Sequence, residues 1–168
     1  MNPSIVIMGV AGCGKSSLGH TLAQAQGLPL IEGVDFHSPK SRSKMSQGSA
    51  LTDADREGWL DTLGDQLRAH PQGLVMTCSA LRKAYRDRLR SACTDLRFAF
   101  LEIGKEDSQN RVEARANAHF FSINLVASQF ATLESPTGET GVLTLDAMAP
   151  LAQLKEQVVA WLKLKETT

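Results

Sequence analysis

Aromatic side chains are scarce in this chain, at 5% of 168 residues, and the formal charge is zero, with 18 Lys plus Arg against 18 Asp plus Glu. Few aromatics leave few platforms for stacking bases, and balanced charge gives no field that draws in nucleic acid or an anionic membrane. Neither partner is expected, and any anion must be caught by a local site. Cysteine is sparse as well: Cys13, Cys78 and Cys93 are odd in number, far apart, and form no C-x-x-C pair or His-flanked metal spacing. That usage fits a reducing compartment and predicts a cytoplasmic protein. Long apolar runs are missing; Ile5 to Met8 stops at Gly9, and Met1-Asn2-Pro3-Ser4 carries no basic stretch, so neither signal peptide nor membrane span is expected. No repeat, low-complexity tract or flexible linker divides the chain, which predicts a single domain over residues 1–168. Its 42% hydrophobic content suffices to bury a core.

Short apolar runs recur at Ser4 to Met8, Leu28 to Ile31, Leu74 to Cys78, Arg97 to Ile103 and Val142 to Leu145. Each has strand length and is apolar on both faces, the pattern of a strand covered on both sides by helices. Between them the period becomes helical: Leu18, Leu22 and Ala25 share one face, and Trp59, Leu60, Leu63 and Leu67 another. Thr52-Asp53-Ala54-Asp55 opens the second of these as a capping box, and His70-Pro71 closes it. Ser79 is placed to cap a helix carrying Leu81, Tyr85 and Leu89; Ile123, Val126, Phe130 and Leu133 line a later one, and Leu151, Leu154, Val158 and Trp161 the last. Strands alternating with helices predict an α/β fold with a parallel sheet, right-handed crossovers, and a ligand site at the carboxyl ends of the strands.

Directly after the first strand stands Gly9-Val10-Ala11-Gly12-Cys13-Gly14-Lys15-Ser16, a full match to G-x-x-x-x-G-K-[ST]. Glycines there let successive N–H groups turn inward around a polyphosphate, Lys15 supplies a point charge, and the Ser16 hydroxyl suits Mg²⁺. The helix starting near Lys15 adds its positive end. Together these favour a nucleoside triphosphate over a plain glycine-rich turn. A dinucleotide fingerprint fails, because Ser17 stands where its third glycine belongs. Cys13 within the loop reads as a small tolerated side chain.

No Asn-Lys pair occurs anywhere, so the base reader of a GTPase is missing. Small kinases need an acid at a neighbouring strand end, to position Mg²⁺ and take the attacking hydroxyl's proton, and arginines for developing charge. Glu32 and Asp35, past the second strand, are candidates for that acid, although turn chemistry around Gly33 accounts for either taken alone.

Several segments then carry a specific resemblance, in order from about Ile5 to Leu145. They include the phosphate loop, Glu32-Gly33-Val34-Asp35-Phe36-His37, Leu51-Thr52-Asp53-Ala54-Asp55-Arg56, Trp59-Leu60, Cys78-Ser79-Ala80-Leu81-Arg82-Lys83, Tyr85-Arg86-Asp87, His119-Phe120-Phe121 and Ser128-Gln129-Phe130-Ala131-Thr132-Leu133-Glu134. Together they resemble the small bacterial gluconate kinases, the thermoresistant gluconokinase type. The resemblance implies a P-loop NTPase fold of the nucleotide and shikimate kinase type, with a five-stranded parallel sheet flanked by helices and a small lid at roughly 112–130. It further implies ATP and Mg²⁺ as cosubstrates, D-gluconate as acceptor, 6-phosphogluconate as product and a homodimer.

By the same resemblance, Gly9, Gly12, Cys13, Gly14, Lys15, Ser16 and Ser17 would hold the ATP phosphates, with Arg111 near adenine and Arg115 near the transferred phosphoryl. Glu32 would join Ser16 at the metal, and Lys15, Glu32, Asp35 and Arg115 would carry catalysis. Asp35, His37, Arg56, Ser79, Lys83, Arg86 and His119 would contact the acceptor. The chain departs from the pattern at Val34, where the family's acidic turn has another carboxylate, and at Ser38, Ala50 and Gly58, which replace prolines. Its lid has one additional residue between Arg111 and His119, and Ala118 stands in place of a glycine. Two other readings remain beside gluconokinase: a kinase of another small hydroxy acid, and a non-catalytic module that binds ATP.

Overall fold

The apolar runs form five strands, β1 (Ile5–Met8), β2 (Leu30–Glu32), β3 (Val75–Thr77), β4 (Arg97–Glu102) and β5 (Val142–Asp146), in a computed structural model that describes residues 4–115 and 123–166. All neighbours pair in parallel, in the order β2-β3-β1-β4-β5. Parallel pairing demands crossovers, and helices supply them: α1 (Lys15–Gln26), α2 (Pro39–Ser46), α3 (Asp53–Ala69), α4 (Lys83–Ala92), α5 (Lys105–Ala114), α6 (Ile123–Thr132) and α7 (Leu151–Glu166). The central strand β1 is buried throughout, whereas all three residues of the edge strand β2 are only half-buried. The expectation of strands covered on both faces therefore holds for the middle of the sheet and fails at this edge.

Chain direction across the sheet places the site. β1 leads to β2 on one side, while β3 passes over to β4 on the other, so the carboxyl end of β1 lies at the switch in strand order. Register then aligns Glu32 with Thr77 and Thr77 with Ile7, which brings the last residues of β2 and β3 beside the exit of β1.

The helices bury the faces their periods mark, with local exceptions. Leu18 and Leu22 of α1 are buried, but Ala25 is exposed and Ala23 takes the inner position. On α3 the capping box forms as expected: Thr52 Oγ1 accepts from the Asp55 N–H at 3.1 Å, and Asp55 Oδ2 accepts from the Thr52 N–H at 2.9 Å. Trp59, Leu60, Leu63 and Leu67 are buried along it; each contributes roughly 1.5–3 kcal/mol of apolar burial. On α7, Leu154 and Val158 are buried, while Leu151 is exposed and Leu162 rather than Trp161 completes the inner face.

Ser79 does not cap α4. That helix begins four residues later, and its first amide, the Lys83 N–H, donates instead to Glu134 Oε1 at 2.8 Å. The intervening turn contains Ala80 in the left-handed region at φ 46°, a conformation that costs an L-residue about 1 kcal/mol or more. No helix among the described residues is long and apolar enough to cross a membrane.

Candidate active site

β1 runs directly into the glycine-rich loop, and neighbouring elements hold that loop from outside. Gly12 adopts φ +79°, and a Cβ there would come within 2.9 Å of the Ser108 carbonyl oxygen on α5, so backbone angle and close approach both demand glycine. Ser108 Oγ donates to Ala11 O at 2.6 Å, and the Ala11 N–H donates to Gln129 Oε1 on α6 at 2.6 Å. Arg111 donates to Gly12 O at 3.1 Å and to Ala147 O at 3.2 Å, stitching the loop to the end of β5. Lys15 heads α1, and its Nζ donates to Gly9 O at 3.0 Å and Val10 O at 3.2 Å, so the ammonium lies across the loop. The first turn of α1 holds no acidic residue, and its N-cap, Gly14, offers no side chain to its amides. That helix end keeps donors and a positive partial charge for an anion.

An acidic wall faces the loop. Glu32 Oε2 accepts from Thr77 Oγ1 at 2.7 Å and from Ser16 Oγ at 3.0 Å, while Oε1 lies 3.6 Å from His20 Nε2. The following turn, Gly33–Phe36, presses on β3 so tightly that a Cβ at Gly33 would sit 2.3 Å from the Thr77 carbonyl oxygen. Gly33 O accepts from Trp59 Nε1 at 2.7 Å, and the Trp59 ring stacks on His37 with centroids 4.1 Å apart. His37 Nδ1 is buried without a hydrogen-bond partner among the described residues. Burial, with Arg56 and Arg42 nearby, lowers the pKa of His37 to about 4, so the ring is neutral at physiological pH.

Loop and wall enclose a cavity of about 120 Å³. Gly12, Gly14, Lys15, Ser16 and Ser17 line one side, Glu32, Val34 and His37 another, and Ser79, Arg115 and Gln129 close it. A smaller cavity adjoins it, sharing His37, Trp59, Ser79 and Gln129 and adding Arg56 from α3. Arg56 Nη1 donates to Leu51 O at 2.8 Å and to Tyr85 Oη at 3.2 Å, and Tyr85 in turn donates to Asp53. Cys78 also borders the larger cavity, where burial pushes its thiol up to about 12 and keeps it protonated.

The remaining expected site residues lie elsewhere. Gly9 and Cys13 sit beneath the loop surface, Cys13 at 1% exposure, and Arg111 braces the loop from behind. Asp35 is 69% exposed, 3.8 Å from Arg42 and off the cavity wall. Lys83 points to solvent with Asp87 at 2.6 Å. Arg86 is fully buried and its donors are engaged: Nε and Nη2 go to Glu139 at 3.1 and 2.6 Å, Nη1 to Ala80 O at 2.7 Å and Nη2 to Glu134 O at 2.9 Å. It steadies the turn that presents Ser79 rather than reaching the cavity itself. His119, and the lid segment from 116 to 122, lie outside the described residues; 112–114 end α5, and α6 begins at Ile123.

Three wall residues carried no chemical signal of their own in the sequence. Trp59 read as a core face of a helix and one segment of the resemblance, Thr77 only as part of an apolar strand, and Gln129 only as part of a longer run. Their importance comes from the register of β2 and β3 and from the packing of α3 on the 33–36 turn and of α6 on α5.

No protein-family model matches the chain. Similarity to characterised proteins is nonetheless extensive. The chain is 38% identical over 142 residues to a gluconokinase of Gluconobacter oxydans, spanning 83% of this chain and 79% of that one. A crystal structure of a gluconokinase from Sinorhizobium meliloti superposes with a TM-score of 0.89 at 41% identity, covering 98% of this chain and 94% of that one. An unliganded sugar kinase from a Janibacter species superposes with a TM-score of 0.91 at 36% identity, covering 97% and 95%. The phosphate loop on β1, the five-stranded parallel sheet and this degree of identity over nearly the whole length agree: the chain belongs to the gluconokinase family, on a P-loop kinase fold.

Proposed function

We propose that this protein is an ATP-dependent gluconokinase, transferring the γ-phosphoryl group of ATP to the terminal hydroxyl of D-gluconate to give 6-phospho-D-gluconate. One observation carries the reading: Lys15, Ser16 and Glu32 share a cavity with His37, and that cavity shares His37, Trp59, Ser79 and Gln129 with a second one holding Arg56. The first suits a triphosphate's end and the second a small anion.

In this reading the amides from Gly12 to Ser17 cradle the β and γ phosphates, and Lys15 exchanges its loop carbonyls for phosphate oxygens. Arg115, on the cavity rim, spreads over charge that develops on the phosphoryl oxygens. Arg111 frames the adenine side of the loop. Ser16 Oγ and Glu32 Oε2, hard oxygens 3.0 Å apart, fit Mg²⁺, which prefers oxygen and keeps several ligands from phosphate and water. A bound Mg²⁺ would supply positive charge against the phosphate oxygens. Arg56 offers a guanidinium for the gluconate carboxylate, and Ser79 a hydroxyl for the sugar chain. His119 would close over the acceptor. Family resemblance supports a homodimer and a single domain over the chain, and three buried free cysteines support a reducing, cytoplasmic setting.

Purified protein with gluconate, ATP and Mg²⁺ in an ADP-coupled assay tests the reading. Turnover is expected; its absence while ATP still binds overturns it. A panel of aldonic acids and shikimate separates gluconate from other hydroxy acids.

A further inference from the structure

We propose that His37 takes the proton of the attacking hydroxyl, a catalytic role that rests on the kinase reading and goes beyond acceptor contact. The larger cavity leaves few other groups for the task. Val34 presents a hydrocarbon where it meets the cavity, and Asp35 lies off the wall in solvent. Glu32 Oε2 already accepts two hydroxyl bonds, from Ser16 and Thr77, and Oε1 faces His20. The Cys78 thiol is protonated and buried.

His37, by contrast, borders both cavities, the place where a phosphoryl group from one side meets an alcohol from the other. Its ring plane is fixed by the stack on Trp59, 18° from parallel, and its Nδ1 is buried without a partner among the described residues, which leaves Nε2 to meet the cavity that His37 lines. A neutral imidazole always offers one lone pair and one N–H. The charged groups that act on it are Arg56 on α3 and Arg42 on α2, and Lys15, Glu32 and Arg115 line the same cavity. At about 4, its basicity equals that of an ordinary aspartate, the residue that accepts the substrate proton in protein kinases. A loose transition state asks no more of a base, and a neutral ring does not repel the γ-phosphate as a carboxylate does.

The step balances. The hydroxyl oxygen bonds to the γ phosphorus as the bond from that phosphorus to the β–γ bridging oxygen breaks, releasing ADP. The hydroxyl proton passes to the lone pair of His37 Nε2, with Nδ1 carrying the ring N–H, and from there to solvent.

The test assays the full chain with gluconate, ATP and Mg²⁺, wild type included. His37→Gln should lower kcat by about 100-fold or more, the span of general-base catalysis, with ATP affinity within about threefold. Exogenous imidazole should restore turnover to His37→Ala, and Val34→Asp, which supplies a carboxylate on the same wall, should recover at least about tenfold in the His37→Gln background. An active wild type with unimpaired His37→Gln overturns the assignment alone. So does a loss that neither imidazole nor Val34→Asp repairs, which would make His37 a packing residue for Trp59. A wild type inactive on gluconate overturns the function and this step together.

Discussion

The backbone N–H of Ala11, at the crest of the phosphate loop, donates to Gln129 Oε1 on α6 at 2.6 Å, across 118 residues of sequence. With Ser108 on the carbonyl side, the Ala11 peptide is gripped by two helices at once. Replacing Gln129 with Met keeps the side-chain volume and removes the acceptor. The buried N–H it strands should cost about 1–3 kcal/mol in a urea melt, with weaker ATP binding than wild type in calorimetry. An unchanged melt would mean the loop holds its shape without α6.

Glu32 and Asp35, equivalent candidates in the sequence, separate in the structure. Glu32→Gln should cut kcat/KM by about 100-fold or more, since it loses the negative charge beside Ser16. Asp35→Asn should stay within about twofold of wild type, because an exposed carboxylate 3.8 Å from one arginine contributes little. Steady-state kinetics on both variants decide it, and a large effect at Asp35 would reverse the assignment.

Arg86 is expected to matter for stability before chemistry. Burial pushes the Glu139 carboxyl up, but the Arg86 and Arg90 guanidiniums outweigh that and hold it below the ordinary range. Arg86→Met should destabilise the fold by about 3–5 kcal/mol, because the partly buried Glu139 loses its closest cation and the strained Ala80 turn loses its donor. Chemical denaturation measures the loss directly; a shift under about 1 kcal/mol would contradict the buried pair.

Acidification should weaken the fold through His37. Its folded pKa of about 4 lies below the unfolded 6.5, so the unfolded chain binds the proton first as pH falls. Stability is therefore complete above 6.5 and declines toward pH 4, by about 2 kcal/mol at pH 5. Asp55, held at about 2 by its Lys44 hydrogen bond, loses its contribution only at lower pH. Melts of wild type and His37→Gln between pH 7 and 5 should diverge, the variant showing the flatter profile.

Much of this architecture was legible because local chemistry and global packing agree. The phosphate loop announces itself through glycine spacing and its place between a buried strand and a helix, and Thr52 with Asp55 marks the start of α3 unaided. What pattern could not supply was depth. Four arginines between 82 and 90 look alike in sequence, yet Arg86 is enclosed while Arg82 is exposed, because only the fold shows that the 134–139 segment closes over one helix face. Nor could spacing show that Asp35 turns outward, since a 3₁₀ turn rotates successive side chains by about a third of a circle. Ser79 misled for a related reason: a strained residue, Ala80, spends that stretch on a bend before the helix starts.

One consequence follows from where Trp59 sits. The chain has two tryptophans, and this one borders both cavities while its indole N–H holds the Gly33 carbonyl of the turn beside the larger one. Arrival of either substrate must alter the surroundings of that ring, so the protein's ultraviolet emission should register occupancy without any attached dye, and with Trp161 replaced by phenylalanine the signal would come from the reaction chamber alone.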